Sequence, residues 1–226
     1  MIFAANFKTN HTRASTQEYL ADLESLVCKS NDEFYIFPPI SALQSHIGKI
    51  TIGSQNAYPA KNGAFTGEIG LEQLEEFEIR TILIGHSERR VLLSESQDFI
   101  AKKFDFFKNN GFKIIYCIGE PLEIRENGEL KVIEFLAEQF NGIDIDYENL
   151  IVAYEPIWAI GTGVSATNTQ IASTHQAIKK ICSKPLLYGG SVNATNIKDI
   201  LKIPNVDGVL VGSASLDPQN FFSLTK

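Results

Sequence analysis

Eight short apolar runs recur along the chain, at Ile2 to Ala5, Phe34 to Phe37, Ile50 to Ile52, Thr81 to Ile84, Lys113 to Cys117, Leu150 to Ala153, Pro185 to Tyr188 and Val209 to Val211. They are continuous rather than alternating, which suits strands buried on both faces of a parallel sheet. Helical patterns fill the intervals. Ser15 and Glu18 have the spacing of a capping box ahead of Tyr19, Leu23, Leu26 and Val27 on one face. Ile100, Phe104 and Phe107 repeat the pattern before Gly111, as do Leu130, Ile133, Ala137 and Phe140 before Gly142. Thr167 and Gln170 form a second capping box ahead of Ile171, His175, Ile178 and Cys182, and Asp217-Pro218 has the form of an N-cap and N1 pair. Eight such units in 226 residues, without a linker, predict one α/β domain over residues 1–226. An open sheet covered on both faces is the other solution, but eight units favour a closed (β/α)8 barrel, eight parallel strands with outer helices.

Composition narrows the function. Hydrophobic residues make up 44% and charged residues 21%, the balance of a globular protein. A net charge of -7 offers no basic field for nucleic acid, so any phosphate site must be local. Cys28, Cys117 and Cys182 are odd in number and widely spaced, which suggests no disulfide framework and fits a reducing cytoplasm. His11, His46, His86 and His175 show no zinc-ligand spacing, and no metal is expected. The first apolar run stops at Asn6 and Lys8, short of a signal-peptide core, and no run approaches the ~18 apolar residues of a membrane span.

A barrel carries its chemistry at the C-terminal ends of its strands. After the first strand come Asn6 and Lys8, which on extended backbone would point to one side. After the fourth, Gly85-His86-Ser87-Glu88-Arg89-Arg90 turns abruptly polar. A short helix opening near Ser87 would place His86 at its N-terminus, where the macrodipole favours neutral imidazole. The adjacent Ser87, His86 and Glu88 do not make a nucleophilic triad, whose members meet in space rather than in sequence. After the sixth strand, Glu155-Pro156 leads into Ile157-Trp158-Ala159-Ile160-Gly161-Thr162-Gly163, too apolar for an open loop, which reads as a lid. Gly161 to Ala166 also matches GxGxxA, but no strand-to-helix turn precedes it and no acidic residue follows at the required offset, so a dinucleotide site is not expected. Gly189-Gly190-Ser191 and Gly212-Ser213-Ala214 end the seventh and eighth strands, where backbone N–H groups can hold a phosphate.

Taken together, Asn6-Phe7-Lys8, Gly85 to Arg90, Ala153 to Gly163, Tyr188 to Ser191 and Asp207 to Gly212 closely resemble the triosephosphate isomerase family, in the right order along the whole chain. The resemblance implies a TIM barrel, an interconversion of dihydroxyacetone phosphate and D-glyceraldehyde 3-phosphate, no cofactor, and a small phosphorylated triose as substrate. It implies Glu155 as general base, neutral His86 as electrophile, Lys8 with Asn6 stabilising the enediolate, and Gly161, Ser191, Gly212 and Ser213 holding phosphate. It further implies Glu88 as partner of Lys8, Arg89 as support, Cys117 packed near Glu155, and Tyr188 and Ser191 bonded to the closed lid. Gln55 to Gly70 resembles a third loop that inserts into a second copy, implying a homodimer.

The chain departs from the family's pattern at Ser213, where glycine is usual and where a positive φ would strain serine. It departs also at Val164-Ser165-Ala166, the lid's far hinge, and at Leu92-Leu93-Ser94. The competing readings are another phosphate-binding barrel isomerase and a catalytically inactive binding protein on the same scaffold.

Overall fold

The computed structural model describes residues 1–160 and 165–226. Its strands are β1 (Ile2–Asn6), β2 (Glu33–Phe37), β3 (Ile50–Ile52), β4 (Thr81–Ile84), β5 (Lys113–Ile118), β6 (Leu150–Tyr154), β7 (Leu186–Tyr188) and β8 (Gly208–Val211). The helices are α1 (Arg13–Val27), α2 (Leu71–Glu76), α3 (Ser87–Val91), α4 (Gln97–Asn109), α5 (Leu122–Glu126), α6 (Glu129–Glu138), α7 (Asn168–Ile181), α8 (Ile197–Ile200) and α9 (Pro218–Ser223). All named strand pairs are parallel, in the order β3-β2-β1-β8-β7-β6-β5-β4. The two edges then meet through Ser54. Its N–H donates to the Thr81 carbonyl and its carbonyl accepts from Leu83 N, each at 2.9 Å, so the sheet closes into the expected barrel.

The two-residue period of the strands sorts their side chains. Ile2 and Ala4 of β1, Leu83 of β4, Ile115 and Cys117 of β5, Ile151 and Ala153 of β6, Leu187 of β7 and Leu210 of β8 fill the interior. Their neighbours Phe3, Ala5, Ile114, Tyr116, Val152 and Val209 face outward against the helices. Carried one step past the packed layers, the same alternation puts Asn6, Gly119, Glu155, Gly189 and Gly212 at the mouth. Asn6, Glu155, Gly189 and Gly212 line a cavity there, whereas the bare position at Gly119 makes room for the Glu155 carbonyl.

The helices follow their sequence signals with two corrections. Thr12, not Ser15, is the N-cap of α1, and Ser15 is its N3 partner in the capping box. Both are capping residue types, so the sequence offers two starts one turn apart; the helix takes the first, and Thr16, Tyr19, Leu20, Leu23 and Val27 face the core. In α6 the buried residues are Val132 and Leu136, while Leu130 is 77% exposed. Both sets have helical spacing; Val132 and Leu136 join the core, as does Phe140 of the expected set, which packs on Tyr116 of β5 just past the helix. Thr167 with Gln170 caps α7, and Asp217 with Pro218 opens α9. Between β2 and β3 there is only a 3-10 turn, Ile40–Ala42. The Glu24 carboxylate of α1 ties this connection down by accepting from the N–H groups of Lys49 and Ile50 at 2.8 and 3.4 Å.

Candidate active site

The barrel mouth holds a cavity of about 440 Å³ whose lining includes Asn6, Lys8, His86, Glu155, Ile160, Ser191, Gly212 and Ser213. That volume lies within the range of small-molecule sites.

Asn6 is the last residue of β1 and is 5% exposed. The chain then leaves extended geometry: Lys8 has φ 51, in the left-handed region that costs a non-glycine residue energy. The alternation expected for Asn6 and Lys8 therefore does not hold, yet both line the cavity, because Asn6 Oδ1 accepts from Lys8 N at 3.0 Å and turns the lysine inward. Lys8 Nζ lies 2.8 Å from Glu88 Oε1. Arg89 Nε donates to Glu95 Oε1 at 2.7 Å, and Glu95 also receives Lys103, which is 1% exposed and bonded to Asn56 Oδ1 at 2.6 Å.

His86 is the N-cap of α3 and 5% exposed. Its Nδ1 accepts from Glu88 N at 3.3 Å, so the proton of the neutral ring sits on Nε2, which points at Glu155 Oε1 3.2 Å away. Burial pushes the imidazole pKa down, and the carboxylates of Glu155 and Glu88 more than offset this, so the net direction is upward. The helix N-terminus thus selects the tautomer, while the carboxylates govern the affinity for a second proton.

Glu155 closes β6 and is 3% exposed. Oε1 faces His86, whereas Oε2 is buried without a partner among the described residues. Gly189 lies against it: a Cβ there would come within 2.7 Å of Glu155 Cγ, so that position must stay bare. Cys117 packs beneath, and burial followed by the Glu155 charge raises its thiol well above the usual range.

Also lining the cavity, Ser191, Gly212 and Ser213 have N–H groups that find no backbone acceptor among the described residues. Ser213 begins a 3-10 turn and is absent from the residues at positive φ, so the strain considered for it does not arise. Gly161, the remaining expected phosphate contact, lies outside the described residues together with Thr162, Gly163 and Val164.

The chain belongs to the triosephosphate isomerase family. The family model described as triosephosphate isomerase matches residues 1–226. A Sulfurovum protein of that name is 63% identical over 223 residues, covering 98% of this chain and 97% of its own. The Wolinella succinogenes protein of that name is 57% identical, covering 98% and 97%, and that of Sulfurimonas denitrificans 55%, covering 99% and 94%.

Two groups, one buried and one half-buried, escaped the sequence reading. Glu120, fully buried, follows β5 and accepts from Trp158 Nε1 at 2.9 Å, from Arg125 Nε at 2.8 Å and from Tyr154 OH at 3.2 Å. It anchors the start of the segment read as a lid. Its signal was available, since Glu120-Pro121 after β5 repeats Glu155-Pro156 after β6. Arg90 bonds the ends of β4 and β5. Among the described residues no helix is long and apolar enough to cross a membrane, and no cluster of three or more His, Cys, Asp or Glu is placed to hold a metal.

Proposed function

We infer the activity from family membership over the whole chain and from the arrangement at the mouth. The chain interconverts dihydroxyacetone phosphate and D-glyceraldehyde 3-phosphate, a step of glycolysis and gluconeogenesis. The observation that carries the chemical assignment is the Glu155 carboxylate lining the same cavity as Lys8, with Oε1 3.2 Å from His86 Nε2 and Oε2 without a partner among the described residues.

On this reading Glu155 Oε2 takes a proton from the carbon next to the carbonyl. His86 donates from Nε2 to the carbonyl oxygen and then shuttles protons between the two oxygens of the enediolate. When the substrate enters between the two side chains, the Glu155 charge moves off the ring, and burial and the helix N-terminus favour the neutral imidazole. Lys8 and Asn6 stabilise the developing oxyanion as preorganised dipole and charge. The free N–H groups of Ser191, Gly212 and Ser213, with Gly161 from the lid, hold the phosphate.

We further propose that residues 1–226 act as one barrel domain in the cytoplasm, as a homodimer whose third loop, Gln55 to Gly70, reaches the other copy. Val91, Leu92 and Leu93, exposed at 61%, 73% and 60%, would be covered in that assembly, and sedimentation at the mass of two chains is the check. Nothing in the fold or the relatives favours another phosphate-binding barrel isomerase or an inactive binding protein.

The deciding experiment is a coupled isomerase assay on wild type and Glu155→Gln. The amide can still accept from His86 but cannot take a proton, so turnover falls by several orders of magnitude while inorganic phosphate binds as before. Turnover within about tenfold of wild type would place the base elsewhere.

A further inference from the structure

Arg90 does not line the cavity, yet its guanidinium spends its donors on the two strand ends that flank the reacting pair. Nε donates to the Gly85 carbonyl at 2.6 Å, and Nη2 donates to the Cys117 carbonyl at 3.2 Å and to Tyr116 OH at 3.0 Å. Nη1 donates to Gln97 Oε1 at 2.8 Å, which fixes the fork from the helix side.

The position of these carbonyls matters. Ile84 and Tyr116 are the last registered pair of β4 and β5. Beyond it the chain turns out of the sheet at Gly85, with φ 80, and the next residue is His86. The Gly85 carbonyl belongs to the peptide plane from which His86 projects, so a donor fixed on it fixes the root of the imidazole. On the other side, Cys117 pairs in register with Ala153, and the carbonyl of the next residue, Ile118, accepts from Glu155 N at 2.7 Å, so the end of β5 that Arg90 holds also carries the root of Glu155. A Cβ at Gly85 would approach Arg90 Nη2 to 2.7 Å and the Cys117 carbonyl to 3.0 Å, so glycine there serves the guanidinium as well as the turn.

We propose that Arg90 is a positioning residue for the isomerisation: by bridging the Gly85 and Cys117 carbonyls it sets the separation of His86 from Glu155. The inference rests on the assignment of those two side chains as the reacting pair. A planar fork with several fixed donors can span two carbonyls, whereas an ammonium on a flexible stem holds one at a time. Misplacement of a reacting group by about 1 Å costs on the order of 10²-fold in rate, so loss of the bridge is visible in turnover. Substrate affinity, set mainly by the phosphate cradle, to which Arg90 makes no bond, is spared.

The test uses full-length Arg90→Lys and Arg90→Met. The expected result is a fall in kcat of roughly 10²-fold for Met and about tenfold for Lys, with KM and the affinity for inorganic phosphate within about threefold of wild type. Affinity for a planar phosphorylated hydroxamate, which mimics the enediolate, falls in step with kcat. A residue that only stabilised the fold would lower Tm and leave kcat and hydroxamate affinity of the folded protein unchanged, and that outcome overturns the proposal. So does a rise in KM at constant kcat. Should Arg90→Met not fold, Arg90→Lys decides alone, and wild-type kcat in it is refuting. Glu155→Gln and His86→Gln serve as references: if either turns over normally, the reacting pair is wrongly assigned; if both are inactive and Arg90→Lys is unimpaired, the bridge alone is wrong.

Discussion

Gln55 Nε2 donates to the Lys8 carbonyl at 2.8 Å and to the Phe37 carbonyl at 2.9 Å, so the start of the third loop holds the backbone of the site's cation. Lys8 occupies a left-handed conformation that relaxes unless its surroundings fix it. Gln55→Leu keeps bulk and removes both donors. Stability should fall by about 1–2 kcal/mol, because the Lys8 carbonyl loses its donor while the Phe37 carbonyl keeps Phe7 N at 3.0 Å. KM should rise by about tenfold, with a smaller change in kcat, as the ammonium loses its fixed position. Steady-state kinetics that return a wild-type KM would show that the loop does not govern Lys8.

Much of this arrangement is legible in the sequence because it is local. Continuous apolar runs mark the strands, and the residues just past them mark the mouth. What escaped depends on contacts between distant segments. The choice between two helical faces in α6 is made by what packs against it, α5 and α7 among them, not by spacing. Lys8 reaches the cavity through a backbone turn set by Asn6 and Gln55, which alternation along a strand cannot express. Arg90 and Glu120 read as ordinary polar residues until the fold brings Cys117 to one and Trp158 to the other.

Glu120 is the more exposed to mutation of these two in energetic terms, because its charge is buried opposite Arg125, with 2.6 Å between Oε1 and Nη2. Removing one partner of a buried pair costs roughly 3–5 kcal/mol, since the other is left uncompensated. Glu120→Gln should therefore lower Tm by on the order of 10 °C, at ~2–4 °C per kcal/mol for a chain of this size. The double variant Glu120→Leu with Arg125→Leu should recover part of the loss. Thermal melts showing the double variant weaker than the sum of the singles would contradict this account of the pair.

Ser213 adds a hydroxyl to the wall that holds the free N–H groups, without positive φ. Ser213→Gly removes that hydroxyl and leaves the backbone donors in place. One neutral hydrogen bond contributes ~1 kcal/mol, so the inhibition constant for inorganic phosphate should rise about fivefold, with kcat unchanged. Equal inhibition of the two proteins would mean that the side chain takes no part in phosphate binding.

His175 makes the fold sensitive to acid. It is fully buried on α7, packed beside Tyr154 and Tyr188 at centroid distances of 5.7 and 6.3 Å. Nδ1 lies 3.0 Å from the Asn205 carbonyl and so carries the proton it donates, while Nε2 is buried without a partner among the described residues. Burial pushes its pKa down from 6.5 to about 4, with the Asn205 carbonyl opposing. The unfolded chain therefore binds a proton that the folded chain refuses between about pH 4 and 6.5, and in that window stability rises with pH. The contribution is fully present above pH 6.5, is lost as pH falls, and amounts to about 3 kcal/mol across the window. His175→Gln retains a donor for Asn205 and cannot be protonated. Urea denaturation at pH 7.5 and pH 5 should show wild type losing about 2 kcal/mol more than the variant. Comparing the two proteins cancels the titration of every other group, so parallel losses would mean that this histidine accepts its second proton as readily in the folded state as in the unfolded one.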